Sequence, residues 1–295
     1  MSFTPRFIAK LNNFPKPHLL LPEYLKVLEG STNGKTLNPA ALRNPIVLEL
    51  LAEGLLSQVV DGTTYNNVMV IDDLSSKELF RLAERHSDSI QNIIKHHRKT
   101  IQEQAHTIAS LSEEPFSNHS FLILSNVLLD NWQIQSVEEL YLKCDRPPRG
   151  NKRFYISLME NSLDGTDPFG IYGNIVRAVN NDFCCFYGNR QNSLTPSDFT
   201  ELSEKSDVLV LSKTENVVLS NLALVIRRDL IDFFERIDWE LKIYHANSLW
   251  ASLTYAEFFI WWYHFLYTQV TNDLVDRGDL VLPEGGMYPY IIKAD

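Results

Sequence analysis

The chain has 295 residues, of which 44% are hydrophobic, and 37 acidic against 27 basic side chains give it a formal net charge of −10. That hydrophobic share builds a real core in one large or two modest domains, and the acidic balance argues against nucleic acid or an anionic membrane as a general partner. Three cysteines, two of them adjacent as Cys184 and Cys185, make neither a disulfide framework nor a metal-ligand spacing, which points to a reducing, cytoplasmic setting.

Residues 1–30 read as an irregular arm broken by Pro5, Pro15 and Pro17, followed by a short helix, Pro22 to Glu29. Met1 to Pro22 lacks the continuous apolar stretch of a secretory leader. Gly30-Ser31-Thr32-Asn33-Gly34-Lys35-Thr36 looks like a phosphate-binding loop, but three residues separate its glycines where that loop has four. A polar turn is the expectation. Pro39 to Leu56 reads as helical with a break at Pro45, and Gln58 to Asp72 as two short strands about a turn at Asp61-Gly62 or Asn66-Asn67. Helix followed by hairpin is compatible with a winged helix, though Glu49 and Glu53 argue against DNA contact.

Ser75 and Glu78 have capping-box spacing, opening a helix that runs to about Ser110. One face of it carries Lys95, His96, His97, Arg98 and Lys99, so Lys95, Arg98 and Lys99 are the candidates for engaging a protein partner. Residues 1–112 therefore form a mainly helical N-terminal region with a small β-hairpin, and 113–118 form a linker.

In residues 119–295, strands are expected at Phe121–Leu124, Lys152–Met159, Phe169–Val179, Phe183–Tyr187, Asp207–Leu211 and Trp239–Tyr244. Helices are expected at Trp132–Lys143, Pro196–Glu204 and Leu219–Arg236. Apolar strands alternating with helices predict an α/β domain with a largely parallel sheet. An aromatic helix, Leu253 to Gly278, and a hairpin, Leu280 to Ile292, close the chain. Thr254 and Glu257 supply that helix with a capping box, Leu253 and Phe258 with a hydrophobic staple, and Gly278 with a C-cap. Its longest apolar run, Phe258–Tyr267, covers about half of the ~20 residues a bilayer needs.

Ile171-Tyr172-Gly173-Asn174 recurs as Phe186-Tyr187-Gly188-Asn189, and polar turns at strand ends are where open α/β sheets bind ligands. Gly173, Asn174, Gly188 and Arg190 are the ligand-binding candidates. Ser125, expected to follow a strand, has the placement of a nucleophile, with His245 as its base and Asn189 or Asn216 as oxyanion donors.

The order Leu124-Ser125-Asn126, Gly173 or Gly188, Asn189 or Asn216, then His245 resembles the SGNH hydrolase-like families. The Gly-Asp-Ser and Gly-x-Asn-Asp blocks are absent, and Lys242 stands where the triad Asp would precede His245. The resemblance implies hydrolysis or transfer of an acyl group on a small-molecule or acyl substrate, without cofactor or metal. The alternative is a non-catalytic binding or biosynthetic accessory protein that engages a partner through its helical N-terminal region.

Overall fold

The computed structural model describes residues 3–10, 13–30, 37, 39–58, 63–161, 170–189 and 193–294. In chain order its strands are β1 Phe3–Ala9, β2 Leu56–Gln58, β3 Thr64–Asn66, β4 Met69–Ile71, β5 Pro148–Arg149, β6 Lys152–Glu160, β7 Gly173–Val179, β8 Asp182–Gly188, β9 Leu209–Leu211 and β10 Met287–Ile292. The α-helices are α1 Pro22–Gly30, α2 Pro45–Ala52, α3 Asp73–Ala105, α4 Ala109–Ser112, α5 Phe116–Ser120, α6 Asn131–Ser136, α7 Pro196–Glu204, α8 Lys213–Asn221, α9 Ala223–Asn247 and α10 Tyr255–Asp276. Two π-helical stretches, Phe121–Asp130 and Val137–Leu142, flank α6.

The chain forms two compact units, each assembled from separate segments. The first comprises Met1–Glu78, Leu142–Ser162 and Ile237–Trp262; the second comprises Leu79–Tyr141, Leu163–Arg236 and Tyr263–Asp295. Residues 113–118 lie inside the second unit's first segment.

In the first unit, β1 runs antiparallel to β6 from Phe3 opposite Glu160 to Ala9 opposite Phe154, and β4 lies parallel on the other side of β6. A helical motif packs its apolar side into a core with Leu28, Leu50, Leu55, Phe154 and Leu158. The motif runs through α1, an extended Leu37 bridged to Thr64, a short turn of 3-10 helix at Pro39–Arg43, α2, and the antiparallel hairpin β2–β3. This is the order of a winged helix. Asn44 caps α2 by accepting from the Ile46 amide at 3.0 Å, and the Asn66 side chain ties the hairpin to the Leu28 carbonyl at 2.8 Å. The turn from β5 into β6 passes through Gly150 at φ +58°, where an added Cβ would lie 2.3 Å from a Glu53 carboxylate oxygen. The left-handed backbone favours glycine there, and any larger residue would also have to displace the Glu53 carboxylate.

Arg149 holds these pieces together. Its guanidinium, 4% exposed, donates to the carbonyls of Gly54 and Asn67 and pairs with Glu257. Glu257 also closes the capping box of α10, accepting from the Thr254 hydroxyl at 2.9 Å while Thr254 accepts from its amide at 3.2 Å.

In the second unit the strand order is β7-β8-β10-β9. Asn180 and Asn181, both at positive φ (52° and 71°), join β7 to β8 in the two-residue turn that suits a right-twisted hairpin. The remainder of α10 packs edge-on against neighbouring rings, Phe265 on Phe80 at 4.8 Å and Tyr263 on Phe234 at 5.6 Å.

The molecule is mixed α/β, with about 60% helix and about 19% strand. The expected largely parallel sheet is corrected. Among the described strands only β4–β6 and β9–β10 are parallel: β7 and β8 are joined by a two-residue turn that makes them antiparallel, and β1 and β10 run antiparallel to β6 and β8 through pairings between segments distant in sequence. β1, read from sequence as an irregular arm, is a strand whose pairing comes entirely from β6. Phe121–Leu124 and Trp239–Tyr244, read as strands, are helical, since short apolar runs carry no period that separates a buried strand from a buried helix. The long helix α3 starts ahead of its expected box, with Asp72 accepting from the Ser75 amide at 2.8 Å. Among the described residues no helix is long and apolar enough to cross a membrane.

Replacing Arg149 by Met leaves Glu257 buried and uncompensated, and is expected to cost about 3–5 kcal/mol. The double replacement Arg149→Met with Glu257→Met should recover a substantial part of that in chemical denaturation. Equal loss in single and double variants would contradict the pairing.

Candidate functional site

Ser125 sits in the π-helical stretch Phe121–Asp130, every residue of which is buried. The wide turn is explicit at its end, where the Asn131 amide donates to the Asn126 carbonyl, five residues back. The Ser125 hydroxyl lies 2.6 Å from that of Tyr187 on β8 and 2.5 Å from that of Thr271 on α10. Thr271 donates its own hydrogen to the Tyr267 carbonyl at 2.8 Å, so the order follows: Tyr187 donates to Ser125, and Ser125 donates to Thr271. The serine proton is therefore engaged by a hydroxyl, with no base beside it.

The same seam continues on both sides. Tyr263 donates to the Leu129 carbonyl and Tyr267 to the Tyr172 carbonyl, both at 2.6 Å. The side-chain amides of Asn126 and Asn174 both donate to the Tyr290 hydroxyl, at 3.2 and 3.4 Å. Asp130, 3% exposed, closes the stretch with dihedrals that depart from helix (φ −102°, ψ −96°). Burial pushes its carboxyl up to about 7, against a smaller opposing contribution from the Tyr267 phenol. One of its oxygens has no hydrogen-bond partner. Burial also holds the phenols of Tyr187, Tyr263 and Tyr267 protonated well above their usual range.

Several residues singled out from sequence meet around this sheet. Gly173 and Gly188 are register partners on β7 and β8, Asn174 reaches Tyr290, and the Asn189 amide donates to the Gly286 carbonyl at 3.4 Å. Asn216 lies on α8, and Arg190 falls outside the described residues. Ser125 belongs to the second unit and His245 to the first. Expected after a strand, His245 is inside α9, with its ring nitrogen 2.9 Å from the Trp250 carbonyl and its ring stacked on Phe258 at 5.0 Å. Burial lowers its pKa, so it is neutral and committed to local packing.

Lys95 and Lys99 are exposed on α3, and Arg98 is paired with Asp279. Lys95 and Arg98 join Gln91 and Arg277 in lining a hollow of about 110 Å³. Among the described residues no three His, Cys, Asp or Glu side chains gather as a metal-binding group.

Sequence reasoning passed over Asp130, Tyr187 and Tyr267. Two further residues of α10 join the seam: Thr268 accepts from the Tyr172 amide at 3.2 Å and Asn272 from its hydroxyl at 2.9 Å. No protein-family model matches the chain, and no curated protein or solved structure matches it. What the geometry defines is a mixed α/β protein of two units, one with a winged-helix-like motif and one with a buried hydroxyl seam.

Ser125→Ala leaves the Tyr187 hydroxyl buried without its acceptor, and is expected to cost about 1–3 kcal/mol in urea denaturation. An unchanged midpoint would overturn the donor order given above.

Proposed function

We propose that this is a non-catalytic binding protein that engages a protein partner through the winged-helix-like motif of its first unit. The observation that carries this is the surface of α2, the helix in the position that reads DNA in winged helices. Pro45–Ala52 contains no Lys or Arg, and phosphate backbones are bound by cations. Its one acid, Glu49, is taken up by the Tyr24 hydroxyl at 2.6 Å and by His18 at 2.7 Å. What it offers outward is apolar: Leu48 is 51% exposed, and Ala52 is exposed beside it. An apolar helix face of this kind suits a partner's side chains. Independently of that face, the exposed Lys95 and Lys99 of the second unit suit an acidic partner segment.

Acyl chemistry through Ser125 and His245 draws little from the same geometry, since the serine is fully buried in a hydroxyl chain and the histidine bonds its own loop. Serine-reactive phosphonates are accordingly expected to leave the native protein unlabelled, and specific labelling of Ser125 would restore the enzyme reading.

Leu48→Glu should abolish crosslinking to the native partner while stability stays within about 0.5 kcal/mol, as for a surface substitution. Undiminished crosslinking in that variant would defeat the α2 docking face. Gel retardation with duplex DNA at physiological salt should show no shift.

A further inference from the structure

Asp130 combines three features in the second unit. Its carboxyl is 3% exposed with one oxygen unpartnered, it is the last residue of the π-helical stretch, and its dihedrals mark the change to the ordinary helix α6. The titratable groups acting on it are phenols: Tyr187 from β8, and Tyr263 and Tyr267 from α10. No Lys, Arg or His contributes to its electrostatics among the described residues. A carboxylate in such a place has neither counter-charge nor a full set of donors, so the enclosed form is the neutral acid.

The stretch it terminates has an alternative hydrogen-bond register open to it. A π-helical turn bonds each amide five residues back; an α-helical turn bonds four back, so conversion re-registers the side chains along the segment. The residues moved would be Ser125 and Asn126, which hold the segment to Tyr187, Thr271 and Tyr290.

We propose that Asp130 is a proton-operated catch: its neutral carboxyl keeps the Phe121–Asp130 segment seated on the β7–β8–β10 sheet, and its ionisation releases the segment, exposing the Ser125–Tyr187–Thr271 seam. The device acts inside the second unit and does not depend on the docking face on α2.

The direction is set by linkage. Seated, the carboxyl titrates near 7; released into water, it titrates near the ordinary aspartate value of about 4. Between those values the seated form holds the extra proton, so its advantage is complete in acid, falls as pH rises, and is exhausted above pH 7. The released population therefore grows about tenfold per pH unit between about pH 4 and 7, and levels off above.

The test is hydrogen–deuterium exchange across residues 121–131 from pH 4.5 to 8.5, corrected for intrinsic rates, on the full chain and on Asp130→Asn. The wild type should lose protection about tenfold per unit up to pH 7 and then plateau, while Asp130→Asn stays flat. Constant protection in the wild type, or the same decline in the variant, overturns the catch. Infrared spectroscopy of the wild type gives a readout without the variant: a protonated-carboxyl band present at pH 5 and gone at pH 8.5. Its absence at pH 5 rejects the proposal.

Discussion

A helix buried on nearly every side must find a partner elsewhere for each polar group it carries, and α10 imposes that constraint on the molecule. From Glu257 to Thr271 only Gln269 is more than marginally exposed. Glu257 takes Arg149, Tyr263 and Tyr267 take the carbonyls of Leu129 and Tyr172, and Thr268 takes the Tyr172 amide. Thr271 takes Ser125, and Asp273 accepts from Gln91 at 2.8 Å. Within the first unit this ties β5 to the start of α10, and within the second it ties the π-helical stretch and the approach to β7 to the remainder of that helix.

The two units meet the same requirement by different chemistry. In the first, a desolvated charge is balanced by an opposite one: Arg149 and Glu257 form a pair, and the two terminal guanidinium nitrogens also reach backbone carbonyls while the Nε has no partner. Removing one partner strands the other, which makes the pair rigid and unforgiving. In the second, hydroxyls donate along a chain from Tyr187 through Ser125 and Thr271 to a carbonyl, and no cation enters. Such a chain rigidifies at low electrostatic cost, but it spends the serine hydrogen on structure and leaves Asp130 as the group whose charge the seam cannot absorb.

Much of the local architecture was legible. Capping chemistry is short-range, so the start of α10 at Thr254–Glu257 and its glycine end at Gly278 (φ +73°) could be read directly. Pro22 and Pro196 mark first turns of helices for the same reason, while Pro45, read as a break within a helix, is the first residue of α2. The hairpin expected over Gln58–Asp72 falls instead at Leu56–Asn66, since Met69–Ile71 pairs with β6, and the Asp61-Gly62 turn lies outside the described residues. The site was less legible. Ser125 was singled out as a nucleophile on the premise of a preceding strand, and Leu-rich runs such as Phe121–Leu124 satisfy a buried helix equally well.

What the sequence determined by itself was a large part of what is encoded within a turn or two of chain, namely the caps of α10, its aromatic density and the absence of cations on α2; the hairpin expected at Leu280–Ile292 is instead a single strand, Met287–Ile292, paired with β8 and β9. Tertiary structure decided the rest. The pairing of β1 with a strand about 150 residues away, the antiparallel sense of β8 and β10, and the meeting of Ser125, Tyr187 and Thr271 depend on contacts between distant segments. The charge state of Asp130 is of the same kind, because a carboxyl's pKa is set by the solvent and donors around it, and neither is written in its neighbours along the chain.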